Sequence, residues 1–189
     1  MATPLTVLDL VPISSGSTAP QALRNSIDLA KRAEALGYTR FWFAEHHLNP
    51  GIAGTSPAVL LALTAAETST IRLGSGAVQM GHRTAVATVE EFGLLDALHP
   101  GRFDLGLGRS GGKPREPKVP VSASVGSRAG NGSHGLLIPP KFDPRPLLQS
   151  PRFALQRALL QLPGAQSQDY TDQINDILAL LAGVYRDAD

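Results

Sequence analysis

The feature that most constrains this chain is an alternation repeated through its first 112 residues. A short apolar run is followed by a stretch with helical periodicity, and then by another apolar run. Leu5 to Val11, closed by Pro12, reads as a buried strand. Thr18 is placed to cap a helix with Pro20 in its first turn. Leu23, Ile27, Ala30, Ala33 and Leu36 recur at helical spacing, and Gly37 ends the helix. Tyr38 to Ala44 is the next strand. Ser56-Pro57 opens a second helix reaching Thr68, with Val59, Leu60, Leu63 and Ala66 as its apolar positions. Ile71 to Val78 is a third strand. Thr84 to Leu98 is a third helix, with Val86, Val89, Phe92, Leu95 and Leu98 on one face. His99-Pro100-Gly101 turns the chain into a fourth strand, Arg102 to Gly108. Strands separated by single helices imply a parallel sheet with right-handed crossovers.

Beyond that point the pattern breaks. Residues 113–150 are dense in Gly, Pro and Ser, lack periodicity, and read as a long loop or insertion. Leu136-Leu137-Ile138 is its one apolar run. Residues 151–189 restart as helices of the same domain, the first from Ser150-Pro151 to Leu162, the second from Gln168 to Tyr185 with Ile174, Ile177, Leu178 and Leu181 as its stripe. Residues 101–153 hold nine Lys and Arg against three Asp and Glu. These cations are scattered among Pro and Gly with no aromatic interleaving, so a solvated loop is expected rather than a nucleic-acid surface.

The 189 residues contain no Cys, which excludes disulfides and thiolate chemistry. No apolar run approaches the roughly 20 residues of a membrane span, and Met1 to Leu10 lacks a basic leader. A cytoplasmic protein with no membrane partner is expected.

Three stretches follow strand ends, where parallel α/β folds bind ligands. Phe41-Trp42-Phe43-Ala44 runs directly into Glu45-His46-His47. Side chains alternate along an extended chain, so one imidazole faces the site while the other turns away. Spacing alone does not separate a reactive imidazole from an ordinary polar loop. No HExxH motif is present, and His82, His99 and His134 show no ligand-like spacing, so no metal is expected. Gly74-Ser75-Gly76-Ala77 offers small residues against which a flat ligand could lie, or tight sheet packing. Gly106-Leu107-Gly108-Arg109-Ser110-Gly111 matches GxGxxG, but Lys113-Pro114-Arg115-Glu116-Pro117 follows it where a dinucleotide site needs a helix. Arg109, just past the strand end, could clamp an anionic group or be an ordinary surface Arg on a loop.

Taken together, the Phe41–His47 run, Ile71-Arg72-Leu73-Gly74-Ser75-Gly76-Ala77-Val78 and Leu94 to Arg109 resemble the bacterial luciferase-like, flavin-dependent monooxygenase family. The likeness covers about residues 5–112. It implies an α/β fold of the (β/α)8 TIM-barrel type, of which the first four βα units are present, as in the N-terminal half of such an enzyme. It implies reduced flavin, FMN, supplied by a flavin reductase; some relatives use F420 instead. The implied reaction inserts oxygen from O2 into a small organic substrate. By position, His46 matches the family's catalytic histidine. Gly76 and Ala77 match a bulge beneath the flavin ring, often built on a non-proline cis peptide. Arg109 matches a flavin-contacting arginine, and Glu45 and His47 support the site. A homo-oligomer is implied, paired through helices of this half. The alternative is a non-catalytic half-barrel relative that binds flavin or serves as a partner subunit.

Overall fold

The structure, a computed structural model, describes residues 4–109, 130–131, 137–138, 143, 146, 149–161, 164–166 and 168–186. They fall into two compact units, one of Met1–Gly112 with Gln166–Asp189, the other of Lys113–Ala165.

The first unit is built on a four-stranded parallel sheet. Strand β1 is Thr6–Asp9 and leads to helix α1, Ala19–Ala35. Thr18 caps α1 by accepting from the Gln21 N–H at 3.4 Å, and Gly37 ends it at φ 81. Strand β2 is Arg40–Phe43 and α2 is Pro57–Ala65. Ser56 is extended before α2, but its side chain makes no capping bond; Pro57 alone marks the start. Strand β3 is Arg72–Ser75, β4 is Val78–Gln79, and a 3-10 turn covers Met80–His82. Helix α3, Ala85–Leu98, is capped by Thr84, which accepts from the Ala87 N–H at 3.2 Å. Strands β5, Phe103–Asp104, and β6, Leu107–Gly108, follow.

The sheet order is β1-β2-β3-β5, with β4 and β6 continuing β3 and β5 as a second parallel pair. The third and fourth strands, expected to be continuous, are therefore interrupted. The third breaks at a cis peptide between Gly76 and Ala77. The fourth breaks at Leu105-Gly106, where Ser75 Oγ both donates to Gly106 O and accepts from Gly106 N, each at 2.9 Å. A Cβ on Gly106 would lie 2.1 Å from Ser75 O, so only glycine fits there.

The core lies between the sheet and its helices. Phe41, Phe43 and Leu73 from the strands pack with Leu60, Leu61, Ala65, Phe92 and Leu95 from α2 and α3. Each such Phe or Leu side chain stabilises the fold by about 1.5–3 kcal/mol through removal from water. The expected apolar stripes are partly wrong. Val59 and Leu63 on α2 and Val86 and Leu98 on α3 are exposed, while Leu61, Thr64 and Thr88 are buried in their place. Leu36, just past the end of α1, is exposed as well.

Polar anchors secure the end of the sheet where the strands begin. Glu34 accepts from the backbone N–H groups of Ser69, Thr70 and Ile71. The Arg102 guanidinium donates to Thr68 O at 2.9 Å, Thr68 Oγ1 at 2.8 Å and Ile71 O at 3.1 Å. Asp104 accepts from Arg40, Arg72 and Trp42 Nε1 across three strands.

In the second unit Gly130–Asn131 (β7) pairs antiparallel with Leu137–Ile138 (β8), and α4 is Pro151–Leu160 with Ser150 as its cap. Most of the loop expected over 113–150, with Ser110 to Gly112, lies outside the described residues. Helix α5, Tyr170–Leu181, belongs to the first unit and packs against α3. It buries Gln173 and Ile177; Leu178 and Leu181 of its expected stripe are exposed. Among the described residues no helix is long and apolar enough to cross a membrane.

Candidate functional site

The parallel register sets three chain segments side by side where the strands end. Asp9 is level with Phe43, Phe43 with Ser75, and Val78 with Leu107. The residues just past those points are Glu45-His46-His47, Gly76-Ala77 and Arg109. Backbone bonds tie the segments together: Gly76 N donates to Phe43 O, and His46 N to Gly54 O, both at 2.8 Å.

Within the Glu45-His46-His47 stretch the three side chains part ways. Glu45 is buried. Its Oε1 lies 2.7 Å from His47 Nε2 and 3.2 Å from His82 Nε2, and its Oε2 accepts from Gln79 N at 2.9 Å. The Gln79 side-chain amide donates back to Glu45 O at 2.6 Å. Burial works against the charge on Glu45. The bonds from His82, the Gln79 N–H and His47, with the positive Arg83 nearby, outweigh it and hold the carboxyl at about 2. Glu45 is thus an anion at neutral pH. His47 is turned back onto it. His46 is partly exposed, and its imidazole has no hydrogen-bond partner among the described residues. Of the two adjacent histidines, His47 is held by Glu45 and His46 is not.

The neighbouring strand supplies the cis Gly76–Ala77 peptide. A Cβ at Gly76 would come within 2.9 Å of Leu8 Cδ1 and 3.4 Å of Trp42, so a side chain there would crowd both and glycine is favoured. One strand further, Arg109 is exposed, with its guanidinium carbon 5.9 Å from the centroid of the Tyr170 ring. The Tyr170 hydroxyl donates to Leu107 O at 3.0 Å and fastens α5 to β6.

A match to the family model for luciferase-like monooxygenases runs over residues 3–127, about two thirds of the chain. The chain belongs to the luciferase-like monooxygenase family. An Escherichia coli luciferase-like monooxygenase is 49% identical over 106 residues, covering 56% of this chain and 32% of that protein. The N-acetyl-S-alkylcysteine monooxygenase of Bacillus subtilis is 49% identical over 108 residues, covering 57% and 32%. Among solved structures, apo-MsnO8 is 44% identical with a TM-score of 0.57, covering 58% of this chain and 33% of that one. The matched stretch thus spans about a third of the length of these relatives. In this chain the four parallel strands are βα units of the TIM-barrel type, and the three segments above stand at the strands' carboxyl ends.

Sequence reasoning missed Gln79, His82, Arg83 and Tyr170. None has a local motif. The available signal was the register: parallel strands ending at one level bring together whatever follows them, here the stretches after β2 and β4.

Proposed function

We propose that this chain provides the flavin-facing half of a luciferase-like, flavin-dependent monooxygenase that inserts oxygen from O2 into a small organic substrate. The observation that carries this reading is the separation of the two histidines: His47 is tied to the buried Glu45, while the partly exposed His46 imidazole has no hydrogen-bond partner among the described residues.

The residues present fit a flavin. Gly76 and Ala77 supply small residues at a strand end, against which a flat ring could lie, and the exposed Arg109 supplies a positive charge for an anionic group. Bound reduced flavin would supply the electrons that activate O2. The chain's own residues do the rest. The His46 imidazole holds or moves a proton on the face where the reaction occurs. Glu45, through His47, His82 and Gln79, keeps the segment carrying His46 in one conformation. Arg109, beside Tyr170, fixes the cofactor's charge. FMN is the proposed cofactor, delivered reduced by a flavin reductase in the cytoplasm; F420 is the alternative.

We also assign a homo-oligomer. Val59 and Leu63 on α2 and Val86, Leu94 and Leu98 on α3 expose apolar surface from two adjacent helices. A second copy would cover it.

The test is anaerobic titration of the chain with reduced FMN and with F420, followed by admission of O2. Micromolar FMN binding with reductase-coupled oxygen uptake is expected. Binding without uptake would favour a flavin-binding or partner subunit, and no binding of either cofactor at millimolar concentration would sink the flavin reading.

A further inference from the structure

Three side chains from two separate segments converge on one point. Glu45 and His47 follow β2; His82 ends the 3-10 turn that follows β4. Their nearest ligand atoms all lie within 4.8 Å of one another. The two imidazole rings meet edge to face, centroids 4.8 Å apart, and both aim Nε2 at the same oxygen, Glu45 Oε1. We propose that Glu45, His47 and His82 form a binding site for a divalent first-row transition ion of the zinc and cobalt class. The site is independent of flavin.

The donor set suits that class. Two imidazoles and one carboxylate favour zinc or cobalt over the all-oxygen sites of calcium and magnesium. Two ligand atoms each about 2.1 Å from a tetrahedral ion stand about 3.4 Å apart. The 2.7 and 3.2 Å separations from Glu45 Oε1 open to that value with shifts of under an ångström. Oε2 stays on the Gln79 N–H, so the carboxylate binds through one oxygen and keeps its orientation. An ionised carboxylate only accepts, so without metal both rings carry their proton on Nε2. On binding, each ring moves its proton to Nδ1 and offers the Nε2 lone pair, with no change in its charge.

The surrounding charges leave room for a cation. Arg83 Nε is 3.5 Å from Glu45 Oε1, but its NH1 pairs with Glu91 at 2.7 Å. One guanidinium is shared between the Glu45 and Glu91 carboxylates, which leaves the three groups a net charge of −1 for a cation to meet. The side chains of His47 and His82 are 17% and 11% exposed, which gives an entering ion a path and a water for its fourth position. A bound ion would clamp the segment carrying His46 to the turn after β4.

The experiment uses the full chain, without a histidine tag and stripped of metal, titrated with Co(II) and read by its visible d–d absorption. One four-coordinate Co(II) per chain is expected, displaced by Zn(II), and saturating Zn(II) should raise Tm by several degrees. His47→Gln and His82→Gln should each weaken binding tenfold or more, whereas His99→Gln should not. Thermal melts without metal establish which variants fold; if His82→Gln does not, the wild-type spectrum and His47→Gln decide. No d–d bands at tenfold excess Co(II), several unresolved weak sites, or unchanged affinity in a folded His47 or His82 variant would overturn the proposal.

Discussion

His47 Nε2 lies 2.7 Å from Oε1 of Glu45, two residues back along the chain. That contact folds the segment onto itself and separates two side chains that are adjacent in sequence. His47 contacts a buried anion, and His46 stays partly exposed.

His46→Asn should therefore cost activity rather than fold. Flavin affinity should stay within about twofold, while reductase-coupled oxygen consumption falls by about a hundredfold, the scale of a lost proton-transfer group. Equal loss in binding and turnover would point to a structural role instead.

Glu34 gives the fold an acid-sensitive joint. Burial opposes its charge, and the N–H groups of Thr70, Ile71 and Ser69 overcome that and bring it down to about 2. A carboxyl lowered on folding contributes stability that is complete above its ordinary value of 4.5 and is lost as pH falls towards about 2. Glu34→Gln should cost about 1–2 kcal/mol at pH 7. It should also flatten the fall in urea midpoint between pH 5 and pH 3, compared with the wild type.

Two glycines should respond in opposite directions. At Gly106 a methyl group would collide with Ser75 O, and Gly106→Ala should destabilise by about 3 kcal/mol or force the strand ends apart. Gly93 sits inside α3 with nothing within 4 Å of its would-be Cβ. Gly93→Ala should stabilise by about 0.5–1 kcal/mol. Chemical denaturation of the two variants checks both.

Self-association through α2 and α3 makes Leu63 and Leu94, both exposed, the residues to change. The double variant Leu63→Lys, Leu94→Lys should be monomeric by light scattering with its melting temperature largely retained. An unchanged oligomer would place the contact elsewhere.

Local signals carried the element order. Thr18 and Thr84 announced helix starts and Gly37 a helix end, because caps and turns depend on residues within a few positions. Strand–helix alternation implied the parallel sheet, and with it that Glu45, Gly76, Ala77 and Arg109 each follow a strand.

Other features depended on packing. Helix α2 is apolar nearly all round and α3 carries apolar residues on several sides, so periodicity could not choose their buried faces. Contact with the sheet chose Leu61 and Thr88 over Val59 and Val86. The break at Gly76–Ala77 and the fit of Gly106 against Ser75 follow from two strands meeting, which neither segment encodes alone. His82 stands 37 residues from Glu45, and no spacing rule joins them. The sequence by itself determined which residues would follow the strand ends. Tertiary structure decided which would touch, because the distance between side chains on different strands is set by register and burial rather than by separation along the chain.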